Sequence, residues 1–216
     1  MNFSFLKDYY GFFLEGTKIT LFLSLFTIIF GIIFGMIFAL MRISHNVVLK
    51  SIASIYIEFI RGTPVLVQLC IVYYGLPILG INFPEIMAGI IALSINSSAY
   101  VAEIIRAGIQ AVDKGQMEAA KSLGLTYSMA MKNIILPQAI KNILPALGNE
   151  FITIIKESSI VSIIGIHELM YNTDTVRGNT FKPFEPLIIS ATIYFILTFS
   201  LSKILSVFER RLRTSD

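Results

Sequence analysis

The chain has 216 residues, 55% of them hydrophobic and only 14% charged, with 17 Phe, 9 Tyr and no Trp, and its mean hydropathy is +0.76. Soluble domains carry about 25% charged residues, so this composition excludes an ordinary soluble fold. The single cysteine, Cys70, excludes a disulfide scaffold or a multi-cysteine metal cluster; the formal net charge of +3 is small and calls for a spatial explanation, and no nucleic-acid partner is expected.

Residues 1–16 hold no apolar run followed by a small-residue cleavage site, so no removed signal peptide is expected. From Ile19 to Met41 there is no charged residue. At about 1.5 Å rise per residue that stretch covers about 34 Å, enough to cross a bilayer core. Further apolar runs fall at about 57–79, 84–105, 144–166 and 186–208, which predicts five membrane spans. None alternates strictly between apolar and polar, so the predicted fold class is an all-α integral membrane protein. Without a Pro/Ser-rich linker, low-complexity tract or internal repeat, residues 1–216 read as one domain.

Lys and Arg are distributed unevenly between the two sets of flanks. Arg42, Lys50, Arg106, Lys114, Lys121, Lys132, Lys141, Lys203, Arg210, Arg211 and Arg213 lie on one side, against Lys7, Lys18, Arg177 and Lys182 on the other. The positive-inside rule then predicts a cytoplasmic C-terminus and an external N-terminus. The longest loop, about 106–143, is cytoplasmic in this arrangement, charged and rich in helix formers, as expected of a docking surface.

Within that loop, residues 116–124 read as a short helix ended by Gly124, because glycine tolerates the left-handed cap conformation. Thr126 is placed to cap a second helix through Ile135, which Pro137 is expected to break or kink. Small Ala119 and Ala120 beside Glu118 predict a narrow face that fits a partner's groove, with a carboxylate to meet a basic residue there.

These residues carry a resemblance. Glu118-Ala119-Ala120, Gly124 four residues on, and Ile135-Leu136-Pro137 resemble the cytoplasmic signature of permease subunits of ATP-binding-cassette (ABC) importers. Arg61-Gly62-Thr63-Pro64, Asn96-Ser97-Ser98-Ala99-Tyr100, the run from Ala102 to Gly108, and Lys156-Glu157-Ser158 resemble the polar amino-acid branch, the histidine, arginine and glutamine permeases. The likeness covers nearly the whole chain from Thr17 to Arg213. It implies a type I importer transmembrane fold of the methionine-importer kind, in a bacterial cytoplasmic membrane. It also implies a second permease copy or homologue, two cassette ATPases docked through residues 118–124, and an extracellular or periplasmic amino-acid-binding protein. The chain itself has no nucleotide-binding motif, so ATP-Mg would be held by the ATPase and no cofactor is expected here.

Charged side chains inside a span cost at least about 2.5–3.5 kcal/mol on insertion scales, so each calls for a partner or a wet cavity. Glu150 and Glu157 in the predicted fourth span share a helical face, with Lys156 about 100° round the wheel. An amino acid presents an ammonium, a carboxylate and a side chain, and these groups suit both ionic ends, with Glu150 expected to take the cation. Asn96 and Ser97, in the middle of the third span, can add neutral hydrogen bonds. Two carboxylates against one lysine favour a basic amino acid, with glutamine or cystine as the alternatives. Glu58 with Arg61, and Glu103 with Arg106, are each three residues apart and predict structural pairs; the first pair flanks the helix interruption at Gly62-Thr63-Pro64.

Gly31, Gly35 and Ala39 form a small-residue stripe that lets another helix approach, either within the chain or across a dimer. His45 and His167 have no second ligand at metal spacing, so no metal site is expected. Residues 11–18 imitate a phosphate loop, but Thr and Lys are transposed and no strand precedes them. Asn96-Ser97-Ser98 fits the glycosylation pattern but falls inside a span. A gradient-driven secondary carrier is the competing reading, with Glu103, Glu150 and Glu157 as relay carboxylates, although such carriers generally contain inverted repeats and longer chains. No Ser/His dyad, metal constellation or filter motif supports an intramembrane enzyme or a channel.

Overall fold

The computed structural model describes residues 1–213, and among them every regular element is helical. Helix α1 (Leu6–Ile43) runs 38 residues, about 57 Å. It starts 13 residues before the apolar stretch, and its first turns carry Lys7, Asp8, Glu15 and Lys18. Asn46 then caps α2 (Val47–Arg61), its Oδ1 accepting from the backbone N–H of Val48 at 2.9 Å and of Leu49 at 3.3 Å.

The predicted straight span at 57–79 is instead two arms. α2 stops at Arg61, and after Gly62-Thr63-Pro64 the chain resumes as α3 (Val65–Cys70), a π turn (Ile71–Gly75) and α4 (Leu76–Ile78), bent by 105°. Pro64 brings no N–H and disfavours helical geometry at Thr63, so the helix cannot run through.

α5 (Glu85–Gln110) leads to α6 (Lys114–Ser122) and α7 (Tyr127–Ala130), and after a π turn (Met131–Ile135) to α8 (Leu136–Glu157). Pro137 is expected to break or kink the helix begun at Thr126; the chain does not break there but stays helical from Tyr127 to Glu157, with the π turn just before the proline. A proline ring collides with the carbonyl four residues back. That carbonyl belongs to Asn133, which lies in the widened turn, and the same relation holds between Pro77 and Tyr73 in the earlier π turn.

The predicted fourth span at 144–166 also divides. α8 begins eight residues earlier and gives way to a 3-10 segment, Ser158–Ile164, ended by Gly165 at φ +86°. The serines explain the tighter winding. Ser158, Ser159 and Ser162 each donate to the carbonyl three residues back, at 2.9, 2.8 and 2.7 Å. The stretch after 166, read as a loop, contains α9 (Leu169–Thr180), and α10 (Glu185–Arg213) closes the chain.

By length and composition, α1, α5 and residues 185–211 of α10 can cross a membrane, and the bent α2–α4 pair makes a fourth if it is one span. α8 has 22 residues, about 33 Å, but carries Lys141, Glu150, Lys156 and Glu157.

The tightest seam lies between α1 and α5. A Cβ on Gly31 would stand 2.6 Å from Ser97 Oγ, and one on Gly35 would stand 2.6 Å from Val101 Cγ1 and 2.9 Å from the Ser98 carbonyl. Ala39 is fully buried with Ile57, Ala99 and Ala102. The small-residue stripe is therefore used within the chain. α8 packs on α5, α1 and α10, and α9 bridges α1 and α10.

Candidate functional site

The α2–α3 break exposes carbonyls that have lost their helical donors. Gln68, 6% exposed, repairs this: its amide nitrogen donates to the Ile60 carbonyl at 2.8 Å, with Thr63 Oγ1 at 2.9 Å and the Thr63 carbonyl at 3.1 Å also in reach. Its Oε1 accepts from Asn96 Nδ2 at 3.0 Å. Asn96, read from the sequence as a substrate-binding residue in the third span, instead donates an amide hydrogen to the residue that holds the break. Gln68 carried no motif that marked it out; a Gln four residues after a proline in an apolar run was the available signal.

Ser97 is 2% exposed and its hydroxyl donates to Glu150 Oε1 at 3.2 Å, joining α5 to α8. The serine sits against Gly31 of α1, so three helices meet at this pair. Glu150 is partly buried, whereas Lys156 and Glu157, nearly two turns further along α8, are exposed on the protomer. Neither of the two makes a salt bridge within 4 Å among the described residues, but they are neighbours on one helix and the charge of Lys156 acts on Glu157.

Beyond this site an ionic cluster ties three helices at the end where α1 meets α2. Glu103 takes a bidentate contact from Arg106, including Nε at 2.9 Å, and a third from Arg42 Nη1 at 3.2 Å. The expected Glu58–Arg61 pair does not form. Glu58 faces Arg42 at 3.7 Å, while the Arg61 guanidinium lies 5.4 Å from the centre of the Tyr100 ring. Three-residue spacing allowed the pair, but the bend turns Arg61 toward α5 and α1 supplies a competing cation.

α6 and α7 form a corner on this side. Asp113 Oδ1 accepts from Gly115 N at 2.6 Å and starts α6. At its end Gly124 takes φ +80°, the Gly124 N–H reaches the Lys121 carbonyl at 3.0 Å, and the Leu125 N–H reaches Ala120 at 3.1 Å. This is the glycine-terminated Schellman arrangement. Thr126 Oγ1 accepts from Met129 N at 3.3 Å. Glu118, Ala119, Gly124 and Pro137 are exposed, but Ala120 is 1% exposed and faces inward, so it seats the helix and presents no surface. Leu123 at 81%, Tyr127 at 52% and Met129 at 48% exposure extend the outward face as apolar anchors that the motif did not include. His45, in the α1–α2 turn, lies edge-on to Tyr127 at 6.3 Å.

At the opposite end of α1, Glu168 is fully buried and caps α9, accepting from Met170 N at 2.9 Å, Tyr171 N at 2.7 Å and the Tyr194 hydroxyl at 3.1 Å. Thr20 of α1 accepts from Leu169 N at 3.2 Å beside it. Burial pushes the Glu168 carboxyl above the usual carboxylate range, against the pull of these donors. His167 stacks on Tyr171 at 4.2 Å.

Comparison with known proteins covers nearly all of this architecture. The chain is 47% identical over 205 residues to a Rickettsia bellii protein named glutamine transport system permease protein GlnP, covering 94% of each. It is 45% identical over 206 residues to the Bacillus subtilis arginine transport system permease protein ArtQ, covering 95% of this chain and 94% of that one. Its fold matches a crystal structure of an amino acid ABC transporter with histidines at a TM-score of 0.93 and 55% identity, over 98% and 100% of the two chains. The MetNI methionine ABC transporter, inward facing, shares the fold alone, at 15% identity, a TM-score of 0.71 and coverage of 98% and 99%. Residues 31–214 match the family model described as binding-protein-dependent transport system inner membrane component, and the chain belongs to that family.

Proposed function

We propose that this chain is the permease subunit of an ATP-driven importer that carries polar L-amino acids, basic ones foremost, across a bacterial cytoplasmic membrane. The observation that carries the reading is the Ser97–Glu150 pair where α1, α5 and α8 meet, with Lys156 and Glu157 side by side and exposed further along α8. Glu150 receives the cationic group, while Lys156 and Glu157 line the path and are free to meet the α-carboxylate and α-ammonium. Asn96 shapes the site through Gln68.

In this reading α8 is the remaining span, giving five in all, with the N-terminus outside and the α6–α7 corner in the cytoplasm. Two permease copies, or this chain and a homologue, flank a common axis, and an external binding protein delivers the solute. Each corner seats on an ATPase subunit that holds ATP-Mg; Glu118 and Ala119 face that subunit, with Leu123 and Tyr127 as apolar anchors. ATP closes the cassettes, the corners move with them, and the helices open outward; hydrolysis returns the site inward. The 47% identity to a relative named for glutamine supports glutamine as the second substrate reading.

The test is uptake into vesicles holding the complex with its ATPase. Glu150→Gln is expected to weaken arginine or lysine uptake much more than glutamine uptake while the ATPase remains bound. Equal uptake of all three by wild type and variant would remove Glu150 from the site. Uptake that follows an ion gradient, with no ATPase retained on purification of wild type, would overturn the importer reading.

A further inference from the structure

Among the described residues α1 and α10 share no extensive seam, yet both pack on α9, at the end of α1 opposite the α6–α7 corner. The backbone of α9 lies directly against α1. A Cβ on Gly16 would stand 2.8 Å from Leu169 Cα and 3.0 Å from the Glu168 carbonyl oxygen, so only glycine lets the two meet. Polar ties then fix the approach. Asn172 Nδ2 donates to the Phe12 carbonyl at 2.8 Å, and the Leu169 N–H donates to Thr20 Oγ1 at 3.2 Å. Two further ties run from α9 to α10: the Tyr194 hydroxyl donates to Glu168 Oε2 at 3.1 Å, and the Thr173 and Ser190 hydroxyls are bonded to each other. Around them Phe13, Leu169 and Val176 are buried, with Ile189, Ile193 and Tyr194 packed against them.

The burial of these ties decides how the junction behaves under load. Thr20, Glu168, Asn172, Thr173 and Ser190 are each at most 6% exposed, and each has a partner. Parting α10 from α9 would take the Tyr194 hydroxyl from Glu168, separate two buried hydroxyls and open the apolar cluster around them. A buried network with every member satisfied stiffens what it joins, and an orphaned member is costly. The irregular windings lie outside this junction. The 105° break follows α2, one π turn precedes α8, and the 3-10 segment Ser158–Ile164 separates α8 from α9. Segments of that kind are where helices flex.

We infer that α9 is a clasp that keeps α1 and α10 one body through the transport cycle, so that α8 moves against this body and the solute path opens beside α8, not between α1 and α10. The inference rests on the importer reading. Two hydroxyls in hydrogen-bond contact place their Cβ atoms within reach of a disulfide. Thr173→Cys and Ser190→Cys are therefore combined with Cys70→Ser, which removes the one native thiol, and the complex with its ATPase is placed in vesicles. The two cysteines are expected to couple in equal yield without nucleotide and with ATP trapped by vanadate. Amino-acid uptake by the oxidised pair should match that of the reduced pair. Tyr194→Phe, which removes one tie and leaves the ring, should lower the apparent Tm by about 2–4 °C, and the disulfide should restore it. Uptake lost on oxidation and regained on reduction would overturn the proposal, because α9 and α10 would then have to part. So would cysteines that fail to couple, or a yield that drops in the trapped state. Wild-type complex without ATP-driven uptake would instead sink the importer reading, while the coupling yield and the Tm rescue would still report on the clasp.

Discussion

Replacing Gln68 by Leu is the sharpest perturbation of the helix break. Its amide nitrogen has two hydrogens, so of the acceptors in reach it satisfies two at a time, best the Ile60 carbonyl and Thr63 Oγ1, while Oε1 takes Asn96. Leucine fills nearly the same volume but removes three hydrogen bonds and leaves the Ile60 carbonyl and the Asn96 amide buried without partners. Hydrogen bonds between membrane helices average about 0.6 kcal/mol, whereas an orphaned buried group costs about 1–3 kcal/mol, so the orphans dominate and the loss is about 3 kcal/mol. For a chain of this size that is a fall of about 6–12 °C in apparent Tm. Far-UV circular dichroism in detergent at a fixed scan rate measures it. Asn96→Ala should lower Tm less, and the double variant should fall short of the sum by at least about 0.5 kcal/mol. An unshifted Tm in Gln68→Leu, or strict additivity, would refute the assignment of Gln68 as the brace. Reduced uptake by Asn96→Ala at an unchanged Tm would return Asn96 to direct substrate contact.

Gly35→Ala should destabilise by about 1–3 kcal/mol, because the new methyl meets a backbone oxygen as well as Val101; adding Val101→Ala should restore only part of the melting temperature. Gly124→Ala has open space around it but must hold φ +80°, so its cost of about 1–2 kcal/mol is conformational. Gly124→Asn should cost less, and ATP-driven uptake by the two variants should rank in the same order. Glu168→Ala strips the acceptors from Met170, Tyr171 and Tyr194 and should cost about 3 kcal/mol, read as faster amide exchange in α9, with Glu168→Gln restoring part of the protection.

α1, α5 and α10 were readable because each holds an 18-residue apolar window with at most two charged residues, which hydropathy alone identifies. α8 was harder: its Lys141, Glu150, Lys156 and Glu157 face other helices or the protomer surface, so its limits do not follow from hydropathy. Its continuation past Pro137 depends on a π turn, and its end depends on three serine hydroxyls choosing carbonyls three residues back. Glu103–Arg106 is a local pair and local spacing sufficed to propose it; the partners of Glu58 and Arg61 are tertiary, and spacing could not foresee Arg42 or Tyr100. Ala120 shows the same limit, since the motif marked it for a partner while the fold turned it inward. Gly124 was legible because a glycine after a helical run has a direct backbone reason to be there.

The two π turns have a further consequence. A π turn inserts one residue beyond the ordinary helical count, and one residue advances a helix by about 100°. Every side chain of α8 is therefore rotated by about 100° relative to α7 compared with a regular helix of the same sequence. Glu150 meets Ser97 on that rotated phase. Pro137, far from either residue, thus selects the face of α8 that looks toward α5, and the exposed α6–α7 corner is connected to Glu150 through a surplus residue whose gain or loss would turn the carboxylate away.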